Sequence, residues 1–152
     1  MDIEEHMYIR EDFLPGFFKN KFRIHSDRGS VYEGISRRDL SFTVTLDGKE
    51  IVSSKCMDGN KRILLLATPG NSKFARIEWG RLFPLTGARI IVGDCTYRMP
   101  SFSNPAISKL GLRFPRFCFP GLLTPSVKIK TEENRILAIG LLGYLEACRF
   151  VN

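Results

Sequence analysis

Lys19, Lys21, Arg23 and His25 recur at every second position. In an extended chain that spacing sends all four side chains to the same side. A row of cations breaks no bonds by itself; its chemistry is the capture of anions. Arg37-Arg38 and Lys61-Arg62 fall in what read as neighbouring turn regions, and Lys128 and Lys130 share a face further on. Brought together at a membrane, such residues attract anionic lipid by about 1 kcal/mol each. The competing reading is that outward strand faces are simply solvated, and that lysine on a sheet edge guards against aggregation.

A second candidate is the run Arg113-Phe114-Pro115-Arg116-Phe117-Cys118-Phe119-Pro120-Gly121-Leu122-Leu123. Arg113, Arg116 and Phe117 could together enter a membrane interface or stack on bases. Against that, phenylalanines in such a loop commonly fold back and close one end of a fold. Catalytic signatures are absent. There is no Gly-x-Gly-x-x-Gly, no phosphate loop ending in Gly-Lys-Ser/Thr, and no His-Glu-x-x-His. Cys56, Cys95, Cys118 and Cys148 form no Cys-x-x-Cys pair, and His6 and His25 are the only histidines. That is poor material for a zinc site or for a cysteine–histidine nucleophile. The expectation is a non-enzyme with no cofactor and no metal. Glu78 and Asp94, on a strand and near a turn, read as ordinary solvated carboxylates.

The whole-chain balance points the same way. With 152 residues and a net charge of +7, the chain is of single-domain size and favours anionic partners. The opening Met1-Asp2-Ile3-Glu4-Glu5-His6 is acidic and lacks an apolar run, which predicts no signal peptide, reduced thiols and a cytoplasmic protein.

Two kinds of element must position these residues. Before residue 131 the chain reads as short strands joined by tight turns, after an irregular opening. Lys19 to His25 alternates polar and apolar, and Val31-Tyr32-Glu33-Gly34-Ile35 returns. Leu40 to Leu46 alternates strictly, Asp47-Gly48 is a strong hairpin signal, and Glu50-Ile51-Val52-Ser53 pairs back. Further strands are expected over 61–67, 73–79, 88–92, 95–99 and 126–130. A weaker one over 110–114 is limited by Pro115 and Pro120. Next comes a run with no proline, Ile136-Leu137-Ala138-Ile139-Gly140-Leu141-Leu142-Gly143-Tyr144-Leu145, expected to be helical over about 132–150. Thr131 is expected to cap it, with Glu132 and Glu133 at the positive end of its dipole. Apolar on all sides, this helix must be surrounded; its unbroken apolar core of about ten residues is half of what a bilayer span needs. Gly140 and Gly143 each cost about 1 kcal/mol in a helix, which close approach by strand side chains such as phenylalanine would offset. A mainly β (α+β) fold follows: one domain over 1–152, a closed antiparallel β-barrel of about 10–12 short strands around a buried hydrophobic C-terminal helix.

Hairpins ending in a hydrophobic helix that plugs the barrel resemble the tubby C-terminal-like superfamily, which includes the LURP-one-related proteins and phospholipid scramblases. The likeness rests on Phe22-Arg23-Ile24 through Val31-Tyr32-Glu33-Gly34, Thr45-Leu46-Asp47-Gly48-Lys49-Glu50-Ile51, Lys73-Phe74-Ala75-Arg76-Ile77-Glu78-Trp79 and Arg135-Ile136-Leu137-Ala138-Ile139-Gly140, within residues 17–151. It implies a membrane-associated binding module, as in the branch that holds phosphoinositides. Calcium-binding and cysteine-rich features of scramblases are not evident. The expected function is binding of anionic ligands, such as phospholipid or phosphoinositide headgroups, at a membrane surface and without crossing it. The alternative is a nucleic-acid-binding or protein-interaction scaffold, for which Tyr32, Trp79, Tyr97 and Phe117 are the rings to find exposed.

Overall fold

Alternating side chains determine which way each strand turns. In the strand Val31–Ser36, Tyr32, Gly34 and Ser36 are buried while Val31 and Glu33 are exposed. A computed structural model describes residues 2–11, 20–37, 41–57, 60–79, 88–99, 106–113 and 126–149. They form twelve strands: β1 (Asp2–Glu11), β2 (Asn20–Ser26), β3 (Val31–Ser36), β4 (Phe42–Leu46), β5 (Lys49–Met57), β6 (Asn60–Thr68), β7 (Asn71–Trp79), β8 (Ala88–Val92), β9 (Cys95–Met99), β10 (Ala106–Ile107), β11 (Leu112–Arg113) and β12 (Ser126–Thr131). One helix, α1 (Arg135–Arg149), follows a single tight turn over Glu132–Asn134.

All twelve strands lie in one antiparallel sheet, ordered β10-β11-β12-β1-β2-β3-β4-β5-β6-β7-β8-β9. Consecutive strands make most of that order, and only the pairing of β1 with β12 joins distant parts of the chain. Asp47 and Gly48 both take positive φ, 53° and 79°, as a two-residue hairpin with the twist of its strands requires. The ends of the order, β9 and β10, pass beside one another, but no ladder of hydrogen bonds joins them among the described residues.

The sheet packs its inward face on α1. Every residue from Leu137 to Ala147 is buried, and the helix touches β1, β3, β4, β5 and β12. Met7, Phe22, Ile24, Phe42, Val52, Leu64, Leu66, Val127 and Ile129 supply the facing wall. Both helix glycines sit where the wall comes nearest. A Cβ on Gly143 would lie 2.5 Å from the Phe42 ring, and one on Gly140 2.9 Å from a Leu66 methyl. The expected compensation for two poor helix formers is therefore visible as close packing.

Four sequence expectations need correction. The opening is not irregular: Asp2–Glu11 is a ten-residue strand inside the sheet, between β12 and β2. The helix proper begins at Arg135, because Glu132–Asn134 winds more tightly. Thr131 makes no capping bond to the helix backbone; its Oγ1 accepts from Asn134 Nδ2 at 3.0 Å, while the same amide donates to Leu110 O at 2.7 Å. Lys61 and Arg62 lie within β6 and not in a turn.

A candidate anion-binding face

On β2 the inward positions are Phe22 and Ile24, so Lys21, Arg23 and His25 face outward. Lys21 and Arg23 are exposed; His25 is half-buried. On β12, Val127 and Ile129 point to the core, which turns Lys128 and Lys130 out. Register then sets neighbours. Arg113 of β11 stands directly opposite Lys128, and Lys128 opposite His6 of β1. Tyr8 stands opposite His25, and Arg10 opposite Arg23. The Tyr8 and His25 rings stack with centroids 5.5 Å apart and planes 13° apart, while His6 lies 5.9 Å from Tyr8. Adjacent strands are about 4.8 Å apart, so β11, β12, β1 and β2 present these groups across roughly 15 Å.

Like charges directly opposite one another on a sheet oppose folding. Arg113–Lys128 has that relation, whereas Arg23 stands opposite Glu33 of β3. Contrast β7 and β8, where Glu78 is no free solvated carboxylate: Arg76 and Arg89 approach it at 3.6 and 3.8 Å. The exposed carboxylates on or beside the β11–β2 face, Glu4, Asp27 and Glu33 of β3, are fewer than its five cations. The arrangement is a charged surface, with a cavity of about 220 Å³ where Lys21 and Arg23 meet Glu33 and Thr45.

Arg37 lies further round the sheet. Its guanidinium reaches Ser41 Oγ at 3.5 Å and Thr43 Oγ1 at 3.4 Å, on the strand next to Ile35, whose partner across β2 is Lys21. Lys19, Arg38, Arg116 and Phe117 lie outside the described residues, as do the side chains of Lys61 and Arg62. Of the expected basic residues, Lys21 and Arg23 thus face outward level with the end of β1, and Arg113, Lys128 and Lys130 face outward level with its start. No family model, curated protein or solved structure matches this chain.

Sequence reasoning missed a buried polar network. Glu5 occupies an inward position of β1 and is 2% exposed. One carboxylate oxygen accepts from Arg135 Nε and Nη2 at 3.1 and 2.7 Å; the other accepts from Ser26 Oγ. Arg135 Nη1 reaches Glu132 at 3.0 Å. The hydrogen bond that Arg135 donates to Glu5 is the main reason that the Arg135 pKa is raised further. Tyr32, buried alongside, also has a raised pKa, chiefly because burial disfavours the phenolate. The only sequence signal was a period of two through Glu5, Met7 and Ile9, with a carboxylate in the place of an apolar residue. Among the described residues no three metal-ligating side chains come together, and no helix is long and apolar enough to cross a membrane. Neither Cys56 nor Cys95 is in a disulfide.

Proposed function

We propose that this chain is a non-enzymatic module that docks on an anionic membrane surface through the outer face of β11, β12, β1 and β2. Headgroups of phospholipids or phosphoinositides are its ligands, and the association is peripheral, from the cytoplasmic side. In this reading the neighbouring ends β9 and β10 complete a closed barrel of the tubby-like kind around α1. The observation that carries the proposal is the surplus of outward cations on these strands, Lys21 and Arg23 on β2 with Arg113, Lys128 and Lys130 on β11 and β12, Arg113 standing directly opposite Lys128. A net surplus of about two cations at the surface is worth about 2 kcal/mol.

The nucleic-acid alternative has less support. Tyr32 is buried and Tyr97 packs against the core, which leaves Tyr8 as the ring placed among cations. Phe117 and the Trp79 side chain lie outside the described residues. The test is co-sedimentation with phosphatidylcholine vesicles, with and without phosphatidylserine, at low and high salt. Expected is binding that needs the anionic lipid, fades as salt shortens the screening length, and is lost in Arg113→Glu/Lys128→Glu. Binding indifferent to lipid charge, or unchanged in that variant, would refute it. Preference for single-stranded nucleic acid over vesicles would move the reading to the alternative.

A further inference from the structure

A groove of about 540 Å³ opens at the end of the fold where α1 begins. That volume is within the range of small-molecule sites, about 300–1,000 Å³. Its floor is apolar, made of Ile51 of β5, Pro69 in the β6–β7 turn, and Ile136 and Ile139 of α1. Ile136 is 37% exposed, although the helix after it is buried through Ala147. Among the described residues only Val31 is a comparably exposed large hydrophobic. A branched side chain left open at the mouth of a groove gains from any apolar body that covers it.

Charge around the groove selects what else that body carries. Glu50, Glu132 and Arg135 are its ionised groups. Arg135 is already engaged: Nε and Nη2 serve the buried Glu5, and Nη1 serves Glu132. Turning it toward an anion would strand the Glu5 carboxylate without its cation. Glu50 is exposed and makes no ion pair among the described residues. The rim therefore carries excess negative charge on a chain whose net charge is +7. Its preference is opposite to that of the β11–β2 face.

We propose that this groove binds a small amphiphilic cation: one ammonium or guanidinium group on an apolar body. The body lies on Ile51, Pro69, Ile136 and Ile139. The cationic head sits at Glu50, on the side of the groove that Glu132 also lines. This site is independent of the proposed membrane role.

The experiment titrates the full chain with n-octylammonium chloride and follows isoleucine methyl signals by NMR, with n-butylammonium and octanoate in parallel. Expected is saturable movement of the Ile51, Ile136 and Ile139 methyls by octylammonium. Affinity falls about fourfold for each methylene removed from the part of the chain that is buried. Glu50→Gln weakens octylammonium up to about fivefold, the range of an exposed ion pair, with the melting temperature unchanged. Ile136→Ser weakens it further. Octanoate binding the same methyls equally well, shifts spread over the surface without saturation, or a Glu50→Gln protein that binds as before would each overturn the assignment.

Discussion

Replacing Gly143 by alanine will destabilise this protein, although alanine is the better helix former. In an exposed helix the change would contribute about 1 kcal/mol of stability. Here the new Cβ would meet Phe42 Cε2, Cδ2 and Cζ at 2.5, 2.7 and 2.9 Å. Carbon atoms rest at about 3.5–4.0 Å, so the ring must move by roughly 1 Å. It has little room: Phe42 has no exposed surface, and its backbone N–H is held by Ser54 Oγ at 2.9 Å. Overpacking of this kind costs about 1–3 kcal/mol. The net effect is about 1 kcal/mol of destabilisation. Gly140 is the internal control. Its Cβ would meet the end of a flexible side chain, Leu66 Cδ1, at 2.9 Å, with the next atom at 3.6 Å. A small methyl shift suffices, so Gly140→Ala should be neutral or stabilising. Urea unfolding monitored by circular dichroism measures both variants, with an unchanged slope as the condition for reading midpoints as stability. Phe42→Leu in the Gly143→Ala background should recover part of the loss, with a coupling above about 0.5 kcal/mol. If both alanines stabilise equally, the close approach of the wall to the helix is wrong.

Arg135→Ala should cost about 3 kcal/mol, because Glu5 stays buried without its cation; adding Glu5→Gln should restore most of it, measured by the same unfolding curves. Ser54→Ala should cost about 1–3 kcal/mol, by leaving the Phe42 N–H buried without an acceptor. Tyr32 gives a signed pH dependence. Its phenol has a raised pKa in the fold, so above pH 10 the unfolded chain releases the proton first, and stability falls from there through the folded pKa. Urea midpoints compared between pH 8 and the alkaline range should fall more for the parent chain than for Tyr32→Phe, the difference isolating this tyrosine from the lysines.

Local signals in the sequence carried the hairpins. Thr43-Val44-Thr45 alternates cleanly, and Asp47-Gly48 names its own turn geometry, so β4 and β5 were legible from neighbouring residues alone. The helix was legible for a different reason: apolar residues on every side demand an enclosure. What stayed hidden depends on partners far along the chain. Glu5 interrupts the apolar face of β1, and its compensation, Arg135, is 130 residues away. Nothing near Glu5 announces that pairing, so the opening read as a polar, irregular segment. The stretch from Leu110 to Phe114 also misled: Leu110 ends a tight helical turn, and β11 keeps only Leu112 and Arg113. Of the candidate face, spacing gave the orientation of Lys21, Arg23, Lys128 and Lys130. Their placement around β1 came from the register with β12, which no local pattern encodes.

That α1 lies C-terminal to all twelve strands governs how the protein is born. A ribosome delivers the staves before the axle, so each emerging hairpin waits with its greasy flank open to water and to its neighbours. β1 likewise waits for β12, Tyr8 pairing with Ser126 and Asp2 with Thr131, a long-range pairing that slows folding. Synthesis halted before residue 135 should accordingly give a sticky, chaperone-dependent nascent chain and not a smaller version of the same fold.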